Sequence, residues 1–292
     1  MKMIDAEDSR VILAIALIDA GDIANLMHLL RKYPELVQRR LINHQEGYFK
    51  DPYLLWFIAD NPVRKGKRPG NMIRLIEELI ETVKQLAPDT CLYQIDHALK
   101  LVASSHTMQV SGVLLPAMDL LIDAGASPDC AMEALTNGNL EAAGHLISRG
   151  AHLTLALAVC LERQLDIYKL GNQATNNEKL TALAAAAYYG KADKIKVLLD
   201  MNISPNGFPE AESGFHSHGT PLHYAVSSGD LPSVQLLVEA GAKLDVPDKV
   251  YNGTPKDWAT YLKAQAPGEA ADGNFAAIES YLLSKPRYRR LY

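Results

Sequence analysis

The chain has 292 residues and a mass of 32.0 kDa, and at 48% hydrophobic it can bury a substantial core, which excludes disorder as a reading of the whole. Its 29 Lys+Arg against 34 Asp+Glu give a net charge of -5 and a pI near 6.0, so no global positive field exists to hold a nucleic acid. Three cysteines, Cys91, Cys130 and Cys160, form no C-x-x-C pair, and their odd number argues against a disulfide framework or a zinc ribbon and for reduced thiols in a cytoplasmic chain.

The first apolar run, Val11 to Ile18, follows Asp5, Glu7 and Asp8 and falls well short of the roughly 20 residues a bilayer crossing requires. Neither a membrane span nor a secretion signal is expected. Leu17, Gly21, Leu26, Leu29 and Leu30 outline a first helix pair that stops before Pro34. Tyr53 to Asp60 and Asn71 to Leu86 outline a second, with Trp56 and Phe57 on its apolar side, and Ile95 to Ser104 with Val113 to Gly125 a third. Gln38 to Asp51 and Asn61 to Gly70 are rich in turn formers or charge and read as inserted loops. Within the latter, Arg64-Lys65-Gly66-Lys67-Arg68 reads as a solvated loop, with a grip on phosphates as the weaker alternative.

From Ala134 onward an internal repeat sharpens. Ala134, Gly138, Leu140, Leu146 and Gly150-Ala151 form one copy, and a compressed copy fits between Ala151 and Asn177 with Arg163 where a glycine is due. Thr181-Ala182-Leu183, Ala186, Gly190, Ile195, Val197, Leu198 and Leu199 form the next. The clearest runs Thr220-Pro221-Leu222-His223-Tyr224-Ala225, then Gly229, Leu231, Val234, Leu236, Leu237 and Gly241-Ala242; the last opens at Thr254-Pro255 and continues through Trp258 and Ala259.

One copy can be read physically. Thr220 caps a helix and Pro221 occupies its first turn, where a missing N–H costs nothing. Gly229 ends that helix, because a left-handed residue must turn the chain back. A second helix, Pro232 to Glu239, carries Val234, Leu237 and Val238 on one face. Each copy is a helical hairpin whose apolar face is too large to hide alone, so neighbours must stack.

This period and its Thr-Pro-Leu-His…Ala…Gly…Leu-Leu…Gly-Ala pattern resemble the ankyrin repeat, most strongly across Leu180 to Ala259. The resemblance implies an all-α, right-curved solenoid of about seven helix-turn-helix units with finger loops and irregular N-terminal repeats. It implies a single domain over residues 1–292, with degenerate repeats over about 1–128, clearer ones over about 129–284 and a basic tail at 285–292 that holds Lys285, Arg287, Arg289 and Arg290. The irregular repeats look like those of bacterial ankyrin proteins.

Departures from the repeat are where specific function is expected. Between Thr181 and Thr220 about six residues are inserted relative to a roughly 33-residue unit. They fall in Asn206 to His218, which reads as an elongated hairpin finger; Ala264 to Gly273 is a further insertion. Alternating His216 and His218 on an extended segment point to the same side, and His223 could complete a zinc site. That reading is the weaker one, because in ankyrin repeats the histidine of Thr-Pro-Leu-His ties the turn together through its ring. By the same resemblance, Tyr188 and Tyr189 and their equivalents Ser227 and Ser228 lie on the inner helices facing the groove, while Tyr224 and Trp258 face the interior.

No serine-hydrolase elbow, phosphate-binding loop, zinc-protease motif or Cys-His pairing is present in the sequence. Together with that absence, the resemblance implies a non-enzymatic scaffold that binds another protein through its concave face and finger loops. The expected contact residues are Tyr188, Tyr189, Ser227, Ser228, His216, His218 and Tyr251. A cytoplasmic monomer is expected, with no cofactor, no metal, no membrane contact and no nucleic acid. The alternative is a metal-dependent hydrolase or metal-binding protein built on His216 and His218.

Overall fold

The computed structural model describes residues 3–42, 47–265 and 274–285. Of the basic tail, Arg287, Arg289 and Arg290 lie outside the described residues, as does 266–273 of the insertion expected at Ala264 to Gly273. The chain divides into two compact units, Met1–His152 and Leu153–Tyr292. Both are built from short helices in pairs, and apart from one pair of two-residue strands the described residues form an all-α fold.

The first unit opens with a short strand, β1 (Ile4–Asp5), paired in parallel with β2 (Leu41–Ile42). Between them lie α1 (Ser9–Ala20), α2 (Ile23–Lys32) and α3 (Glu35–Gln38). Asp8 caps α1 by accepting the Arg10 N–H, and Asp22 caps α2 by accepting that of Asn25. A 3-10 helix over Leu54–Ala59 is buried at every position, and Trp56 donates its indole N–H to the Gln94 carbonyl at 3.1 Å. Then come α4 (Met72–Leu86), α5 (Pro88–Ala103), α6 (His106–Val110), α7 (Leu114–Asp123), α8 (Ala131–Thr136) and α9 (Leu140–Ser148). The core joins Val11, Ala14 and Ile18 of α1 to Leu26 and Leu30 of α2 and to Leu75, Ile76, Leu79 and Val83 of α4.

The basic run at 64–68 is not a uniformly solvated loop. Arg64 and Arg68 turn inward onto Asp19 of α1, at 2.7 and 3.0 Å, and the Arg68 side chain is fully buried together with that of Asp60. Asp60 also accepts the N–H groups of Arg64 and Gly66 at 2.8 and 2.9 Å, which curls the loop around its carboxylate. Only Lys65, Gly66 and Lys67 of the run are exposed. The physical reason is charge balance: one buried guanidinium, Arg68, and one half-buried, Arg64, meet the buried carboxylates of Asp19 and Asp60.

The second unit comprises α10 (Leu155–Cys160), α11 (Gln164–Gly171), α12 (Asn176–Tyr188), α13 (Ala192–Asp200), α14 (Pro221–Ser227), α15 (Leu231–Glu239), α16 (Pro255–Gln265) and α17 (Phe275–Ser284). First helices of successive hairpins pack side by side, α10 on α12, α12 on α14 and α14 on α16; α13, α15 and α17 form the second layer. Helix α12 sits between two neighbours, and every residue from Thr181 to Ala187 is buried. Its run Ala184 to Ala187 lets both neighbouring backbones come close.

The structure adds to or departs from the sequence reading at three local points. Thr181, the counterpart of Thr220 in its copy, lies inside its helix: α12 starts earlier, at a capping box of Thr175 and Glu178. The position lacking its glycine is Glu162, not Arg163; Glu162 takes the left-handed conformation (φ 59) that Gly190 and Gly229 take in their units (φ 60 and 70). The segment 206–218, expected as an elongated hairpin finger, forms no strand pair. It contains a 3-10 turn over Ala211–Ser213 and folds back, with Asn206 bonded to the Gly241 carbonyl and the Lys243 N–H, because the Phe215 ring seeks burial and is only 5% exposed.

Candidate functional site

Tyr188 ends α12, and its ring lies 5.2 Å from that of Tyr189, 5.9 Å from Phe215, 5.1 Å from His216 and 6.4 Å from Tyr224. His216 in turn lies 5.8 Å from His218, and His218 6.0 Å from Trp258. A row of rings thus runs from Tyr189 to Trp258. Both tyrosines are half-buried, and burial pushes the Tyr189 phenol well above its usual range.

Tyr224 forms the floor of the row. It is fully buried, accepts the Gly219 N–H at 2.9 Å, and has its phenol pushed up to about 12 by burial. His223 lies beside it, fully buried. Its Nδ1 accepts the Thr220 N–H at 3.1 Å, so Nε2 carries the proton and donates to the Gly253 carbonyl at 3.0 Å. Burial drives its pKa below the ordinary 6.5, against the opposing pull of Gly253 and Asp248. Both nitrogens of His223 are therefore committed, and it has none to offer a metal beside His216 and His218. Among the described residues no group of three His, Cys, Asp or Glu comes together to hold one.

Beyond Trp258 the surface opens into a groove of about 500 Å³ lined by Ser227, Tyr251, Gly253, Asp257, Trp258, Tyr261 and Leu262. Tyr251 and Tyr261 are 75% and 64% exposed. Asp248, buried at the base of the Tyr251 loop, organises this wall. Its Oδ1 accepts the N–H groups of Val250 and Tyr251 at 2.8 and 2.6 Å, and its Oδ2 those of Gly253 and the Trp258 indole at 2.9 and 3.0 Å. Burial works to raise this carboxyl, but those hydrogen bonds outweigh it and hold the pKa at about 2.

Of the seven residues expected at a contact surface, Tyr188, Tyr189, His216 and His218 come together in the ring row, and Ser227 and Tyr251 line the groove. Ser228 differs: its hydroxyl donates to the Ala225 carbonyl at 2.9 Å, closing the end of α14. Sequence reasoning missed Asp248, Phe215 and Tyr261, and placed Trp258 in the interior, whereas it is half-buried. The Asp248…Gly253 spacing before Thr254-Pro255 was the available signal, since an Asx carboxylate ahead of a glycine commonly gathers loop N–H groups.

The first unit holds a separate cavity of about 400 Å³, lined among others by Tyr48, His97, Lys100 and Glu133. The His97 ring lies 3.8 Å from that of Trp56, and burial lowers its pKa. The cysteines are free; burial pushes the thiols of Cys130 and Cys160 up to about 12, which leaves them protonated at neutral pH. Among the described residues no helix is long and apolar enough to cross a membrane.

A family model described as ankyrin repeats (3 copies) matches residues 131–248. Among solved structures, the ankyrin repeat domain of human ASB11 is similar at 17% identity, covering 91% of this chain and 97% of that one with a TM-score of 0.39. The ankyrin repeat domain of Bcl-3 is similar at 18% identity over 70% of this chain and 92% of that one, with a TM-score of 0.31. No curated protein matches the sequence. The Thr-Pro-Leu-His hairpin with its committed imidazole, the left-handed residues at the inter-helix turns and the family match agree, and residues 131–248 of the chain are ankyrin repeats in three copies.

Proposed function

We propose that this chain is a non-enzymatic scaffold that binds another protein through the concave face and finger loops of its repeats. Ankyrin repeats generally mediate protein–protein interaction, which supports the broad reading. The observation that carries the specific one is the continuous row of rings from Tyr189 through Tyr188, His216 and His218 to Trp258, opening onto the groove at Ser227 and Tyr251. Aromatic rings held by their neighbours offer large contact area at little further cost in side-chain entropy. A cytoplasmic monomer of one repeat domain over residues 1–292, acting without cofactor or metal, belongs to the same reading.

The test is affinity capture from native lysate with the wild-type chain beside Tyr188→Ala/Tyr189→Ala and, separately, Tyr251→Ala, each checked for an unchanged helical circular dichroism spectrum. Loss of a protein that wild type retains supports the surface. Equal capture by all three chains overturns it.

A further inference from the structure

We infer that the groove between the Tyr251 loop and α16 receives a basic side chain, lysine or arginine, from a partner polypeptide. The inference rests on the protein-binding reading above and names the chemistry of one subsite within it.

Three observations converge on a cation. The groove is walled by three aromatic side chains, Tyr251, Trp258 and Tyr261, and two of them stand largely exposed. A positive charge among such rings is attracted by their quadrupoles, and the aliphatic stem of lysine or arginine covers the remaining apolar wall at Leu262. Among the described residues the lining holds one carboxylate, Asp257, and no lysine, arginine or histidine. The Asp257 carboxyl is held below its ordinary value of 3.8 by the Thr254 hydroxyl and N–H, and so stays ionised at neutral pH. A volume of about 500 Å³ accommodates one long side chain with part of its backbone, while an acidic side chain would meet like charge and apolar wall.

The rigidity of the wall strengthens the case. The loop that carries Tyr251 is fixed by the four N–H groups gathered on Asp248, one of them from Trp258 itself. Loop and indole are therefore set before a ligand arrives, which reduces the ordering cost of binding.

The chain has two tryptophans, Trp56 and Trp258, so two indole N–H resonances report on the two units separately. The Trp258 signal is assigned with Trp258→Phe. The probes are a short acetylated and amidated peptide, Gly-Leu-Arg-Leu-Gly, and the same peptide with citrulline, norleucine or glutamate in place of arginine. The arginine peptide is expected to move the Trp258 resonance saturably and leave Trp56 unmoved. The uncharged and acidic peptides are expected to bind at least about fivefold more weakly, and Asp257→Asn, which keeps an acceptor for Thr254, to weaken the arginine peptide to a similar degree. Tyr261→Ala, at an exposed position, serves as a second variant that leaves the core intact and is expected to weaken binding as well.

Equal binding of the norleucine peptide would make the groove an apolar slot, preferential binding of the glutamate peptide would reverse its charge preference, and concentration-dependent self-association that moves Trp258 without peptide would make a second copy the occupant. Each of these, or an unmoved Trp258, overturns the inference. Capture lost through Tyr188→Ala/Tyr189→Ala would still stand in those cases, so failure of this subsite and failure of the binding surface are told apart.

Discussion

The indole N–H of Trp258 donates to Oδ2 of Asp248 at 3.0 Å, which ties the first turn of α16 to the loop that presents Tyr251. Asp248→Asn keeps one acceptor oxygen and so loses about half of the gathered hydrogen bonds. A destabilisation of about 1–3 kcal/mol is expected, read as a lower midpoint in urea unfolding. The pH dependence has a defined sign. Because the folded carboxyl is held at about 2 against 3.8, its contribution is complete above pH 3.8 and is lost as pH falls toward 2. An Asp248→Asn chain whose acid unfolding curve matches wild type would show that this carboxylate contributes nothing to the fold.

The Arg68 guanidinium is buried between Asp19 and Asp60, and its removal leaves two carboxylates short of a counter-charge. Arg68→Ala is expected to cost about 3–5 kcal/mol, and Lys65→Ala/Lys67→Ala, at exposed positions, no more than about 0.5 kcal/mol. Thermal unfolding of the two variants side by side checks this. Similar midpoints would return the run to the solvated loop that its sequence implies.

Glu162 and Gly229 occupy equivalent left-handed turns with different side chains. Gly229→Val places a β-branched residue at φ 70 and is expected to destabilise by about 1–3 kcal/mol. Glu162→Gly relieves strain at φ 59, at the cost of an exposed ion pair with Lys191, and is expected to stabilise by about 0.5–1 kcal/mol. Opposite signs in denaturant midpoints are the expected result; matching signs would contradict the equivalence.

His223 is held neutral by burial, below the 6.5 of an exposed imidazole. Its contribution is therefore complete above pH 6.5 and erodes as pH falls below it, where the unfolded chain takes up the proton more readily. His97, in the first unit, is shifted in the same direction. Urea midpoints at pH 7.5 and 5.5 are expected to fall for wild type and to fall less for His223→Gln, whose amide still suits the capping position. An unchanged difference would remove His223 from the acid response.

What could be read from the sequence follows the range of the physics involved. Thr220-Pro221 and Gly229 act through their own turn, so the hairpin they bound was readable from a few neighbouring residues. The basic run at 64–68 was misread because the partner that draws Arg64 and Arg68 inward, Asp19, lies 45 and 49 residues away, beyond any local pattern. Glu162 hid its turn because a glutamate gives no sign of a left-handed backbone, and the gap was assigned one residue late. The tyrosine pair and the histidine finger were visible singly. Their assembly depended on Phe215, whose burial folds 206–218 back, and no periodicity announces that. Tyr261 carries no local mark of its place in the groove, because the loop that faces it is fixed by Asp248.

The imidazole of His223 reaches backward to the cap of its own helix and forward to Gly253, at the threshold of the next module. It works as a rivet through two plates. A proton added at Nδ1 takes away the acceptor of the Thr220 N–H and leaves the Nε2–H bond to Gly253 in place, so acid loosens the start of α14 while the tie to the next module holds.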